Sequence, residues 1–202
     1  MRKIDPARHE ERRRQIMEAA GRCLARDGFR GATMARICAE AGMSPGNVYH
    51  YFESKEAIVA ARAQTVLARW AEAFAELIAG GDPLSLLPSK VLALSARSEA
   101  GLNQSLNQVN YETLAEAARN PAMAEIVKRH SDGVRSLFRE FLQNAQARGQ
   151  VDAGLDADAA ASALLGMSQS AREWKARDPE FDLASYLALL DDLARRMLAP
   201  SR

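Results

Sequence analysis

Residues 44–50, Ser-Pro-Gly-Asn-Val-Tyr-His, carry side chains that can hydrogen-bond to a partner outside the chain. Asn47, Tyr49 and His50 supply donors and acceptors, and Pro45-Gly46 before them is small enough for a close approach. Side chains of these types bind phosphates and base edges in protein–DNA complexes. A nucleic-acid contact is therefore the chemistry that this segment predicts.

Two short helices are expected to position these side chains. Thr33 is a good N-cap, and the apolar residues after it recur at i, i+3, i+4 and i+7 until Gly42 breaks the pattern. Ser44 caps the next helix, whose first turn contains proline. Val48 and Phe52 share one face of that helix and are expected to be buried. The pair is typical of a helix-turn-helix, whose second helix lies in the major groove.

Basic groups surround this pair of helices. Residues 1–55 carry 11 Lys/Arg against 7 Asp/Glu, whereas residues 56–202 carry 16 against 19. The Thr33 hydroxyl at a helix N-terminus and the Lys55 ammonium can each bind a phosphate. The run Arg12-Arg13-Arg14 is either a solvated helix face or a further phosphate contact. The charge asymmetry favours a polyanionic partner at the N-terminal end.

The N-terminal third resembles the DNA-binding domain of the tetracycline-repressor (TetR/AcrR) family of transcriptional regulators. The matching residues are 16–20, 28–33, 37–44, 46–52 and 54–56. Cys38 stands where the family has a small residue, often alanine. Residues 120–151 resemble, more loosely, the C-terminal half of AcrR/BetI-like members.

This resemblance implies the roles of individual residues. Family contacts that fall on phosphates correspond to Thr33, Tyr49 and Lys55. Contacts on or near base edges correspond to Arg36, Ser44, Pro45, Gly46, Asn47 and His50. The family also implies an all-helical homodimer whose C-terminal helices bind a small-molecule effector and pair the subunits.

The fold class predicted is all-α, with about nine helices. Residues 1–55 are expected to form a three-helix DNA-binding domain, and residues 56–202 a helical bundle for effector binding and dimerisation. The helices are expected near 9–26, 34–41, 45–52, 54–78, 84–96, 102–118, 120–148, 157–177 and 183–198. Asp27-Gly28 should end the first of them, with Phe29 entering the core.

Two groups of residues are candidates for an effector site. Asn103, Asn107 and Asn110 share one face of a helix, which either lines a pocket or faces water. The second group is apolar or aromatic and either lines a pocket or forms ordinary core. It comprises Trp70, Phe74, Tyr111, Met167 and Trp174.

The last helix carries an apolar face that includes Leu187 and Leu190. This face either forms half of a four-helix dimer seam or packs within its own chain. With dimerisation through the last two helices, each subunit would place one helix in a major groove. The DNA site would then be a near-palindrome with half-sites ~34–36 Å apart.

Several function classes find no support in the sequence. The basic N-terminus lacks the apolar stretch of a secretory signal, and no run of ~20 apolar residues could cross a membrane, so a cytoplasmic protein is expected. Cys23 and Cys38 lie in apolar surroundings and are expected as reduced core thiols. His9, His50 and His130 have no metal-ligand spacing, and neither a catalytic constellation nor a cofactor motif occurs.

The function predicted is a DNA-binding transcriptional regulator, most simply a repressor that a small-molecule effector releases from a palindromic operator. Two alternatives stay open at this point. One is an enzyme built on a helical bundle, and the other is a DNA-binding protein that responds to no effector.

Overall fold

The computed structural model describes the backbone of residues 5–99 and 106–200, and the side chains of these residues except 78–80, 97–99 and 106–110. The described part is helical throughout and contains no strand, which confirms the all-α class. Nine helices and one 3₁₀ turn (Pro83–Leu86) are described in it: α1 (Pro6–Gly31), α2 (Met34–Ala41), α3 (Pro45–Tyr51), α4 (Lys55–Gly80), α5 (Pro88–Glu99), α6 (Leu106–Ala117), α7 (Pro121–Ala147), α8 (Ala157–Arg177) and α9 (Leu183–Leu198).

Ser44, expected to cap α3, makes no side-chain hydrogen bond to the first turn of that helix. Five other helices do begin at the expected side-chain cap. In each case a side-chain oxygen accepts a hydrogen bond from a backbone N–H of the first turn, which satisfies a donor that has no partner within the helix. The residues are Thr33, Ser54, Asn120, Asp156 and Asp182. The sequence therefore determines where most of the helices begin.

α1 begins earlier than predicted, and its regular part ends where predicted. It begins at Pro6, because Asp5 accepts a hydrogen bond from the N–H of Ala7 at 3.1 Å. Gly28 interrupts it with φ 67° and ψ 176°, in the left-handed region that favours glycine. The chain then makes one more turn, which ends at Gly31. The continuous helix therefore stops at Gly28, as the sequence predicted, and Phe29 enters the core in the short turn that follows.

The region before α5 also differs. One helix was expected over 84–96, but the chain forms the 3₁₀ turn and then starts α5 at Pro88. Proline fits the first turn of a helix and not its interior, because it lacks an N–H. The position of Pro88 explains the break.

By its contacts the chain divides into two compact units, here called the first unit (Met1–Val66 with Glu99–His130) and the second unit (Leu67–Ser98 with Ser131–Arg202). The core of the first unit joins α1, α2, α3 and the start of α4. Cys23 and Cys38 lie in this core as free thiols, and burial raises the pKa of both. The domain boundary after residue 55 stays a prediction.

The core of the second unit is built around aromatic rings. The ring centroids of Phe74 and Phe138 lie 4.8 Å apart, and Trp70 lies 5.9 Å from each of them. Gly133 of α7 lets α4 come close, since a Cβ at this position would lie 2.6 Å from a methyl carbon of Leu67. Ring contacts and the close approach of α4 to α7 therefore hold this core together.

Candidate nucleic-acid interface

The turn between α2 and α3 is built around Gly42. This residue has φ 64°, and its N–H donates to the carbonyl oxygen of Ala39 at 3.1 Å. The N–H of Met43 donates to the carbonyl oxygen of Cys38 at 3.0 Å, so two carbonyl groups at the end of α2 are satisfied. This local geometry sets the direction in which α3 leaves α2.

Side chains of α1 bind the ends of both helices. The side-chain amide of Gln15 donates to the carbonyl oxygen of Ala41 at 2.7 Å. Arg13 stacks its guanidinium 4.5 Å from the Phe52 ring centre and donates to the carbonyl oxygen of Tyr51 at 3.4 Å. The last residue of α2 and the last residue of α3 are therefore both bound by side chains of α1.

α3 divides into a buried side and an exposed side. Val48 and the following Phe52 are buried in the first-unit core. The residues of this segment that the sequence assigned to a DNA contact are exposed to solvent, as the periodicity predicts. They are Ser44, Pro45, Gly46, Asn47, Tyr49 and His50. Their roles as contacts to base edges and phosphates stay predictions.

Arg36 also projects from this surface but is not free of contacts. It occupies the first turn of α2, whose cap Thr33 accepts a hydrogen bond from the Arg36 N–H at 3.3 Å. The guanidinium lies 3.3 Å from a carboxylate oxygen of Asp27 and 3.4 Å from the carbonyl oxygen of Gly31. The side chain is nevertheless 58% exposed.

Lys55 lies in a different environment from the one that its predicted role suggests. Its ammonium donates to the carbonyl oxygen of Phe29 and lies 3.9 Å from the centre of the Phe29 ring. Burial lowers the pKa of Lys55. In this structure the side chain therefore fastens α4 to the end of α1, and its contact with a phosphate stays a prediction.

The backbone of Phe29 is also bound from a third helix. Glu112 of α6 accepts a hydrogen bond from the Phe29 N–H at 3.2 Å. The Glu112 carboxylate packs closely against Gly28, since a Cβ at this position would lie 3.0 Å from the carboxylate oxygen. Sequence reasoning missed Glu112, because no local pattern connects residues 83 positions apart.

A buried arginine completes the attachment of α4 to α1. The Arg62 side chain donates to the carbonyl oxygen of Met17. Gly21 makes the space, because a Cβ there would lie 2.6 Å from a guanidinium nitrogen. Burial lowers the pKa of Arg62 to about 10, so the group stays charged at neutral pH. Sequence reasoning missed this residue as well.

The candidate effector residues are distributed over both units. In the second unit, Trp70 and Phe74 are buried in the aromatic cluster, Met167 is half-buried, and Trp174 is exposed and stacks on Phe181 with ring centres 5.7 Å apart. In the first unit, Tyr111 is exposed. Asn103 and the side chains of Asn107 and Asn110 lie outside the described residues. Their assignment to an effector site stays a prediction.

The last helix presents a different leucine pair from the one predicted. Leu190 is buried and Leu187 is half-buried, which fits packing within the chain. Leu189 and Leu193, at i and i+4, are 54% and 43% exposed. The apolar surface available to a partner therefore lies on the neighbouring stripe of α9.

A helix-turn-helix whose second helix exposes its polar side defines a DNA-binding transcriptional regulator. The family model "Bacterial regulatory proteins, tetR family" matches residues 16–61, and the model "Tetracyclin repressor-like, C-terminal domain" matches residues 89–171. The chain belongs to the tetR family. The resemblance of the N-terminal third is thereby confirmed.

Individual relatives agree with this assignment. The chain is 28% identical over 156 residues to the HTH-type transcriptional regulator UidR of Escherichia coli K12, which covers 77% of each chain. It is 43% identical over 65 residues to the HTH-type transcriptional repressor AcnR of Corynebacterium diphtheriae, which covers 32% of this chain and 34% of that protein.

Solved structures agree as well. The structure of Salmonella enterica GusR matches with a TM-score of 0.74 at 26% identity and covers 98% of this chain and 99% of that one. Bacillus subtilis FadR, solved in complex with stearoyl-CoA, shares the fold with a TM-score of 0.73 at 22% identity, over 91% of this chain and 98% of that chain. No helix in the described residues has both the length and the apolar character needed to cross a membrane.

Proposed function

We propose that the protein is a cytoplasmic repressor that binds a near-palindromic operator as a homodimer and leaves it when a small-molecule effector binds. The exposed polar side of α3 is the observation that carries the proposal. It places an amide, a phenol and an imidazole (Asn47, Tyr49 and His50) on a short helix whose last residue is bound by a side chain of α1, as is the last residue of the preceding α2. Rigid presentation of such groups is what recognition of base edges requires.

Two exposed leucines of α9 support the proposed homodimer. Leu189 and Leu193 form an apolar stripe on a helix that packs against α8. Two copies of an α8–α9 pair can bury such stripes in a four-helix seam. A two-fold dimer then predicts an operator with two related half-sites, ~34–36 Å apart or a multiple of this distance.

The effector is supported by the family and by one fold relative. FadR of Bacillus subtilis was solved with stearoyl-CoA, so this fold can hold an acyl-CoA thioester. Here the second unit offers an apolar interior around Trp70 and Phe74. A thermal-shift screen of acyl-CoA thioesters and hydrophobic amines tests this part of the proposal, because a ligand of the folded state raises the melting temperature.

Selection of binding sites from random duplexes tests the operator. The recovered sequences should be near-palindromes. Asn47→Ala should relax base preference in one position of each half-site, at a cost of about 1–3 kcal/mol for the preferred sequence. Tyr49→Ala should weaken all duplexes about equally, because a phosphate contact carries no base information.

The exposed Leu114 of α6, which is assigned to no site, provides a control for Tyr49. Leu114→Ala should leave the affinity for the selected duplex unchanged. Recovery of sequences without two-fold symmetry, or the same loss for Asn47→Ala on every duplex, would contradict the proposed mode of binding.

A further inference from the structure

We infer that Asp27 is an internal competitor of DNA for Arg36 and thereby limits the affinity of the protein for DNA of any sequence. The inference rests on the proposed function, since it requires the α2–α3 surface to face DNA. It assigns to an acidic residue at the end of α1 a role that neither the sequence pattern nor the family resemblance indicates.

The contact geometry identifies Arg36 as the weakly held cation of this surface. Its guanidinium meets the Asp27 carboxylate at 3.3 Å and the Gly31 carbonyl oxygen at 3.4 Å, and both distances are at the long end for hydrogen bonds. The side chain is mostly exposed. The guanidinium is therefore accessible to a phosphate of DNA, which must compete with the Asp27 carboxylate for it.

Asp27 itself is firmly placed. Its two carboxylate oxygens accept hydrogen bonds from Nε and a terminal nitrogen of Arg26 at 3.1 and 3.0 Å. Gly31 lies beside it, and a Cβ there would come within 2.9 Å of the Asp27 Cβ. The hydrogen bonds from Arg26 lower the pKa of Asp27, so the carboxylate is charged at any pH used for DNA binding. Asp27 therefore offers Arg36 a fixed negative charge.

A second acidic residue in the same network serves as a comparison. Glu40 pairs with Arg22 at 2.6 Å and with Arg26 at 3.1 Å. The contacts described for Glu40 go to these two arginines, whereas those of Asp27 go to Arg26 and Arg36. Removal of either carboxylate changes the net charge by the same amount, but only the loss of Asp27 releases Arg36.

The competition has a direct consequence for binding to genomic DNA. Non-specific affinity depends on the number of phosphates that basic side chains neutralise. While Arg36 stays with Asp27, it contributes little to that number. The restraint keeps the basic N-terminal region from binding DNA indiscriminately, which matters because a genome offers a vast excess of wrong sites.

The test measures binding of the full-length protein to a random-sequence duplex by fluorescence anisotropy between ~50 and ~200 mM salt. Asp27→Ala is compared with Glu40→Ala, and both are repeated in an Arg36→Ala background. Asp27→Ala should tighten binding about threefold to tenfold more than Glu40→Ala does, and should steepen the slope of log affinity against log salt by about one further phosphate contact. The difference should vanish without the Arg36 guanidinium.

Equal effects of Asp27→Ala and Glu40→Ala would overturn the inference, because net charge alone would then explain them. Persistence of the difference in the Arg36→Ala background would also overturn it. Asp27→Asn, which keeps the size of the side chain, provides a second variant should the alanine variant melt early. Absence of DNA binding by the unaltered protein would instead refute the proposed function.

Discussion

α3 and α9 both expose one side to solvent, and the two exposed sides are chemically opposite. α3 exposes polar side chains such as Asn47, Tyr49 and His50, while its apolar residue Val48 is fully buried. α9 buries Leu190 yet leaves two further leucines exposed. A polar surface beside a completed core is stable in water, whereas exposed leucines at helical spacing gain from being covered.

The two helices therefore differ in whether their exposed side gains stability from being covered by another surface. The first unit completes its core within one chain, so α3 can be held rigidly before any partner arrives. The second unit leaves apolar area that only another surface can bury. The comparison indicates that DNA recognition depends on preorganisation, whereas the proposed pairing of subunits would depend on hydrophobic burial.

The largest expected effect comes from loosening the first unit at Arg62. Arg62→Ala removes a long buried side chain and the donor to the Met17 carbonyl. We expect the free energy of unfolding to fall by about 2–5 kcal/mol, the range for large-to-small changes in a core. Urea denaturation measures this value.

Gly21 sharpens the same test. Gly21→Ala alone should destabilise the protein, because the new methyl group meets the Arg62 guanidinium. In the Arg62→Ala background the space is open, and the helix preference for alanine should make the same change stabilising by about 0.5–1 kcal/mol. The same sign in both backgrounds would show that Arg62 does not fill this space.

A smaller effect is expected when the exposed stripe of α9 is broken. Leu189→Glu combined with Leu193→Glu places charges in the proposed seam, and the dimer should dissociate at roughly tenfold to hundredfold higher protein concentration in sedimentation experiments. Leu114 of α6 is 53% exposed and offers the control. Leu114→Glu should leave the assembly unchanged. A monomeric unaltered protein, or a dimer insensitive to the double change, would remove the difference between the two helices.

The smallest effect concerns pH. His130 of α7 is a partly buried histidine whose Nδ1 lies 3.3 Å from the carbonyl oxygen of Ala63, and burial lowers its pKa. The imidazole of His130 therefore takes up a proton less readily in the folded state than in the unfolded state. The stability that the neutral imidazole contributes is complete above the unfolded pKa and falls as the pH drops below about 6.5.

Urea unfolding at neutral and mildly acidic pH checks this expectation. The loss of stability on acidification should be smaller in His130→Gln than in the unaltered protein. The exposed His50, changed in the same way, should preserve the full loss. An unchanged pH dependence in His130→Gln would show that burial of this imidazole is not linked to stability.

Local signals predicted a large part of the fold. The caps Thr33, Asn120, Asp156 and Asp182 fixed four helix starts, and the i, i+4 spacing of Val48 and Phe52 separated the two sides of α3. These features depend on neighbours within one turn. Sequence patterns report such interactions directly.

The attachments between helices could not be predicted in this way. Lys55 lies at the start of α4 and looks free in the sequence, but Phe29 binds it in the folded chain. Glu112 and Arg62 sit on helices whose sequences give no sign of their partners. Contacts between distant parts of the chain determine such partners, and local patterns in a single sequence do not predict them.

The two contacts to the backbone of Phe29 have a practical consequence for engineering. The Phe29 N–H is bound by Glu112 and the Phe29 carbonyl oxygen by Lys55, so the kink before α2 is completed by a residue more than eighty positions downstream. A fragment that ends after the start of α4 would lose the hydrogen bond from the Phe29 N–H to Glu112. Chimeric regulators built by grafting these N-terminal helices onto a foreign sensor must therefore supply a carboxylate at the place of Glu112.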